Sequence, residues 1–264
     1  MPVTSLPIIQ VDAFADAPFT GNPAAVMPLG QWLDDATLQA IAAENNLSET
    51  AFTVPTPDDP EADYALRWFT PAVEVKLCGH ATLASGHVLM GGRTAVRFRT
   101  RQAGILSVSR DRDGYALSLP AWPTGPTPLP ELAEAMGGDI LETQWREGGY
   151  AIFLYRDAAA IRALEPDFAT LKKAGPILLI ATAPGDDSDI VSRVFVPGAG
   201  IDEDPVTGSA HCLLTPYWAK RLDKAALTAF QASRRGGRLS CRLSGDRVIL
   251  TGACRTVIEG NFLL

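Results

Sequence analysis

Seven residues carry the types and settings that acid-base chemistry on a small molecule needs: Glu49, His80 and Asp204 as ionisable groups, and Asn22, Gly79, Gly208 and Ser209 as groups able to hold a substrate. Glu49 lies in Asn45-Asn46-Leu47-Ser48-Glu49-Thr50-Ala51-Phe52, at a junction from helix to strand, where a side chain can enter a cleft while its backbone is held. As a general base it would contribute about 10² to 10⁴ in rate. The alternative is a surface carboxylate or a helix-end acceptor, and Glu44 is an equal rival on spacing. His80 starts an uncharged helix, where the positive end of the dipole disfavours imidazolium and leaves a neutral ring able to donate to a substrate oxygen, or simply to cap the helix. Asp204 stands in Asp202-Glu203-Asp204-Pro205-Val206-Thr207-Gly208-Ser209 before a second uncharged helix. It could orient a catalytic group or keep a proton, while Ser209 and the Gly208 and Ser209 amides bind a carboxylate. An acidic N-terminal cap explains the same residues. Asn22 offers an amide to the cleft or serves as a turn residue, and His87 and His211, inside uncharged helices, read as structural.

The elements that must position these groups come as a pair. Cys78-Gly79-His80-Ala81-Thr82-Leu83-Ala84 and Thr207-Gly208-Ser209-Ala210-His211-Cys212-Leu213 each follow an extended stretch and open a helix without charge. A helix apolar on every side belongs inside a domain, and its first N–H groups, beginning at Gly79 and Gly208, lack partners within the helix and can grip an anion. Two such helices imply two cores. Strands are expected at Pro7 to Phe14, Thr50 to Val54, Tyr64 to Phe69, Ala95 to Thr100, Gly104 to Ser109 and Tyr115 to Leu119 around the first helix, and a helix capped by Asp34 or Asp35 runs to about Asn45. Thr20-Gly21-Asn22-Pro23 reads as a turn. The second half repeats the order, with a helix at Leu129 to Met136 and strands near Tyr150 to Tyr155, Ile177 to Thr182 and Ile190 to Val196. Five prolines between Pro120 and Pro130 mark a stiff linker. The expected lobes are residues 1–119, completed by about 256–264, and residues 120–255. Pro216 either kinks the second helix or ends it at Thr215.

Composition narrows the function classes. With 264 residues, 47% hydrophobic, the chain can bury a full core, and its net charge of -7 argues against nucleic acid as a partner. The one short basic cluster, Arg234-Arg235-Gly236-Gly237-Arg238, reads as a hairpin turn. Neither a leader in Met1-Pro2-Val3-Thr4-Ser5-Leu6-Pro7 nor a membrane span is visible, so a cytoplasmic enzyme is expected. The four cysteines form no CxxC pair and fit reduced thiols. Cys78-x-His80 lacks a second ligand pair at a recognisable spacing, so no metal site is expected. No GxGxxG follows an early strand and no GxSxG surrounds Ser209, which leaves dinucleotide chemistry and a hydrolytic triad of Ser209, His80 and an Asp without support.

Asp12-Ala13-Phe14, Gly21-Asn22-Pro23-Ala24-Ala25-Val26, Asn46-Leu47-Ser48-Glu49-Thr50, Gly79-His80-Ala81-Thr82-Leu83 and Glu203-Asp204-Pro205-Val206-Thr207-Gly208-Ser209-Ala210 together resemble the phenazine-biosynthesis PhzF-like isomerase family, over nearly the whole chain. The resemblance implies a diaminopimelate-epimerase-like α+β fold: two similar lobes, each a mixed sheet wrapped around a central buried helix, with the active site between them. It places Glu49 at the family's proton-shuttling position and His80, Asp204 and Ser209 at other active-site positions, with Asn22 as a further cleft residue. It also implies proton transfer between carbons of a small carboxylate or amino-acid-like substrate, no cofactor, and a homodimer. The related epimerases use two facing cysteines, whereas here Cys78 is matched by Thr207, which is not acidic enough to serve. A racemase using Cys78 and a binding protein without turnover are the alternatives.

Overall fold

The structure, a computed structural model, describes residues 4–112 and 114–264. Met1, Pro2 and Val3, part of the stretch read for a leader, lie outside the described residues. In chain order the elements are β1 (Ser5–Ala13), β2 (Asn22–Pro28), α1 (Asp35–Asn45), β3 (Glu49–Pro55), β4 (Tyr64–Phe69), β5 (Glu74–Val75), α2 (Gly79–Leu89), β6 (Ala95–Thr100), β7 (Ile105–Asp111) and β8 (Gly114–Pro120). They continue with β9 (Gly125–Pro126), α3 (Pro130–Met136), β10 (Glu142–Arg146), β11 (Tyr150–Leu154), α4 (Ala158–Arg162), α5 (Phe168–Lys173), β12 (Leu178–Pro184), β13 (Ile190–Val196) and β14 (Ile201–Asp204). The last are α6 (Gly208–Leu222), β15 (Ala226–Gln231), β16 (Gly237–Ser244), β17 (Arg247–Gly252) and β18 (Cys254–Leu263). No helix among the described residues is long and apolar enough to cross a membrane.

The chain divides into two units, Met1–Leu119 with Thr251–Leu264, and Pro120–Leu250. In the first, β1 pairs antiparallel with β2 and β18, β3 lies parallel to β2, β4 antiparallel to β3, β6 parallel to β4, and β7 and β8 continue antiparallel. In the second, β10 pairs antiparallel with β11, β12 lies parallel to β11, β13 antiparallel to β12, β15 parallel to β13, and β16 antiparallel to β15. The two topologies repeat one another. In each, a short strand, β5 or β14, pairs antiparallel with the fourth strand just before the buried helix that makes the second parallel crossover. Both units are mixed sheets built around a buried helix, the α+β architecture that the family resemblance implies.

Strand alternation sets the inner face. In β6, Val96, Phe98 and Thr100 are buried while Arg97 and Arg99 are exposed, a period of two that leaves one face apolar. Helix α2 packs against β1, β2, β3 and β7, and α1 covers another part of the sheet through Leu38, Ile41 and Ala42 against Met27, Phe52 and Phe69. Three hydroxyls of the buried helices bond back to carbonyls one turn earlier: Thr82 Oγ1 donates to the Cys78 carbonyl at 2.5 Å, Ser85 Oγ to Ala81 at 2.8 Å, and Thr215 Oγ1 to His211 at 2.6 Å. Helix α6 runs on past Pro216 to Leu222. Proline cannot donate to the carbonyl one turn back, and that carbonyl, of Cys212, instead accepts the Trp122 N–H at 2.9 Å. The proline-rich segment thus supplies the donor that lets the helix continue.

One reading of the sequence is corrected. Asn22 is not a turn residue; it is the first residue of β2 and wholly buried. The turn ends at Gly21, whose φ of +72° suits glycine and where a Cβ would lie 2.3 Å from the Ala13 carbonyl oxygen. The short helices α4 and α5 and strand β10 carry no expectation from the sequence.

Candidate active site

In the first unit, the chain leaves α1 through Asn46, in the left-handed conformation at φ 49°, and enters β3 at Glu49. Asn45 Nδ2 donates to Thr50 Oγ1 at 3.0 Å, tying the end of the helix to the start of the strand. Glu49 lies level with Ala24 of β2, and the Glu49 side chain, 15% exposed, reaches His80 with Oε2 3.0 Å from Nε2. Glu44 is exposed on α1, so burial separates the two carboxylates that spacing leaves equal.

His80 is the second residue of α2 and its side chain is 5% exposed. Its other nitrogen, Nδ1, lies 3.2 Å from Asn22 Nδ2 and 3.5 Å from Cys78 Sγ. Burial is the largest influence on the ring and opposes charge, but the Cys78 sulfur and the Glu49 carboxylate outweigh it and hold the His80 pKa well above the ordinary imidazole value. Burial, with the Glu49 charge, pushes the Cys78 thiol up to about 11, so near pH 7 the sulfur is neutral. The neutral ring expected from the helix dipole is therefore corrected. A dipole contributes only about 0.3–1 kcal/mol at an exposed helix end, less than a carboxylate oxygen 3.0 Å away inside a low-dielectric site. With His80 charged, Nδ1–H donates to Cys78 Sγ, or to Asn22 once its amide turns to present Oδ1.

In the second unit, the three clustered carboxylates have three surroundings. Asp202 is exposed, Glu203 pairs with Arg193 at 2.7 Å, and Asp204 Oδ2 accepts the Thr207 hydroxyl at 2.5 Å. Gln231, wholly buried on β15, has no counterpart in the sequence reading. Its Oε1 accepts the Thr207 N–H at 2.9 Å and its Nε2 donates to the Asp204 carbonyl at 2.7 Å, closing the loop that leads into α6. A polar residue in an alternating strand carries no mark of such a role. Gly208 is buried and Ser209 partly buried at the start of α6. Gln231→Leu leaves the Thr207 amide buried without an acceptor and should cost about 1–3 kcal/mol of stability. Thermal denaturation checks this, and a melting curve overlaying the wild type counts against the role.

His87 and His211, expected to be structural, are each held by neighbouring groups of their own unit. His87 is held between Tyr115 Oη at 3.0 Å and Thr256 Oγ1 at 2.9 Å. Nδ1 of His211 donates to the Thr207 carbonyl at 2.9 Å, and burial takes its pKa down to about 4.

The family model described as phenazine biosynthesis-like protein matches residues 11–260. An uncharacterized isomerase of Pseudomonas aeruginosa is 49% identical, over 98% of this chain and 99% of the relative. A PhzF-family phenazine biosynthesis protein of Enterococcus faecalis, solved by crystallography, matches with a TM-score of 0.91 and 44% identity, over 99% of this chain and all of that one (100%). A hydroxyproline epimerase from Agrobacterium vitis shares the fold at a TM-score of 0.63 and 14% identity, over 98% of this chain and 93% of that one.

Proposed function

Because the chain belongs to the phenazine biosynthesis-like (PhzF) family, we propose that it is a cofactor-independent isomerase that moves a proton between carbons of a small carboxylate-bearing substrate, with Glu49 as general acid and base. One observation carries this reading: a partly buried carboxylate, open on one side, 3.0 Å from a buried histidine. The Glu49 carboxylate takes a proton from a substrate carbon, whose electron pair is held in the conjugated system of the substrate. The resulting carboxylic acid returns that proton to a second carbon. Nothing is oxidised or reduced, so neither an electron carrier nor a co-reactant is called for.

Within this reading His80 is a positioning residue. Nδ1 is held by Asn22 and Cys78 and Nε2 lies 3.0 Å from the Glu49 carboxylate, so the ring aims Glu49 rather than donating to a substrate oxygen. Asp204 fixes Thr207 at the mouth of α6, and the Gly208 and Ser209 amides and the Ser209 hydroxyl bind a substrate carboxylate. Homodimer formation belongs to the same proposal. The test assumes no particular substrate: cyclic and amino-acid-like acids are incubated with the enzyme in D₂O, and at least one should take up deuterium only when enzyme is present. No uptake across such a panel favours a binding protein without turnover.

A racemase working through Cys78 is the second reading, and the thiol disfavours it. A group with a pKa of about 11 is almost wholly protonated near pH 7, and the matching position at the start of α6 is Thr207. Cys78→Ala should keep turnover within about tenfold of the wild type, a smaller loss than removal of an acid-base group causes. Complete loss would point to thiol chemistry.

A further inference from the structure

Glu49, Cys78 and His80 each place a ligating atom within 4.8 Å of the other two. We propose that this triad is also an inhibitory site for a borderline-soft divalent cation of the Zn²⁺ and Cd²⁺ class. Spacing along the chain hides it, because Cys78-x-His80 looks like half a motif and the third donor comes from β3, at Glu49. In tetrahedral zinc coordination, bonds of about 2.0–2.3 Å put neighbouring ligand atoms about 3.4–3.8 Å apart. The triad already has Glu49 Oε2 3.0 Å from His80 Nε2 and Cys78 Sγ 3.5 Å from His80 Nδ1, so side-chain rotation brings one ring nitrogen, the sulfur and a carboxylate oxygen around a common centre.

The donor set selects the ion. Thiolate and imidazole suit Zn²⁺ and Cd²⁺, whereas Mg²⁺ and Ca²⁺ require an all-oxygen shell. The site adjoins the positive end of α2, which opposes any cation, and only an ion that forms strong bonds to sulfur and nitrogen offsets that. On binding, the Cys78 thiol proton and the proton shared by His80 and Glu49 leave to the buffer. Three protein ligands leave a fourth position, closed in these ions by water. A metal held there occupies the carboxylate that would otherwise carry the substrate proton, so it silences the enzyme reversibly. That silencing rests on the isomerase reading; the coordination itself does not.

The test uses chelator-stripped full-length protein titrated with Cd²⁺ and read by the ultraviolet absorption of the cadmium–thiolate bond. Wild type and Cys254→Ala, which removes the cysteine most open to solvent, should both develop the band at one equivalent, and Zn²⁺ should erase it. Cys78→Ala and Cys78→Ser, each checked for folding by near-ultraviolet circular dichroism, should give no band. Glu49→Gln should need about tenfold or more Cd²⁺ for half-saturation. A wild type without the band, or a band that persists in both Cys78 variants, overturns the site. Zn²⁺ should also suppress deuterium exchange by the wild type, with recovery on adding EDTA. A band that forms while exchange runs undiminished overturns the silencing, and a band that forms in protein without any exchange supports the site while overturning the isomerase reading.

Discussion

The Glu49→Gln variant is expected to lose solvent-deuterium exchange into substrate, by about 10² to 10⁴ in rate, while remaining folded. Glutamine keeps the size of the side chain and an oxygen that accepts from His80, but it cannot take a proton from carbon or return one. The measurement is the mass shift of substrate recovered from D₂O, with circular dichroism and thermal denaturation as controls for the fold. Exchange at the wild-type rate removes Glu49 from the proposed role. The variant carries a second, independent signature. Glu49, 3.0 Å from the ring, is one of the groups that raise the His80 pKa, so loss of its carboxylate should bring that pKa down, which histidine NMR reads directly.

What could be read from the sequence follows how local each signal is. Strands β4, β6 and β13 span the ranges that alternation and apolar runs indicate, because a period of two over six or seven residues is a local property. The buried helices announce themselves by the absence of charge. Strand β2 was hidden because Gly21-Asn22-Pro23 is good turn chemistry. Proline is tolerated there since Pro23 pairs only with Asp12 of β1, and β3 joins one residue later at Ala24. Helices α4 and α5, of 5 and 6 residues, are too short for a helical period, although Asp157 and Asp167 cap them through the Ala160 and Thr170 amides. The site divides the same way. Glu49, His80 and Asn22 are candidates by residue type, but Glu44 rivals Glu49 and Asn22 reads as a turn residue, and their meeting, with Cys78 as a fourth member, is made by β2, β3 and α2 converging, which no spacing encodes. Nor could the sequence show that Cys78 and Glu49 together raise the His80 pKa, because a dipole argument counts the helix and not the sulfur and carboxylate beside the ring.

The charge on His80 makes a prediction about pH that a merely packed histidine would not share. Its folded-state pKa lies above the unfolded value of about 6.5, so folding takes up a proton between the two values. The stability this contributes is complete below about pH 6.5 and is lost as pH rises through the folded value. Wild type should therefore exceed His80→Asn in stability by more near pH 6 than in alkali, as read by denaturant unfolding at a series of pH values. A constant difference, or one that grows with pH, shows the ring to be neutral in the folded state. The kinetics should follow the same group. While His80 is charged it holds Glu49 in place; once it loses its proton the pair relaxes, so exchange by the wild type should fall along an alkaline limb set by the folded pKa of His80. In His80→Asn that limb should vanish while the rate at neutral pH drops by about 10². Asparagine fills much of the same space and can still donate to Glu49, so an unaltered alkaline limb in the variant would assign it to another group and leave His80 as packing for α2.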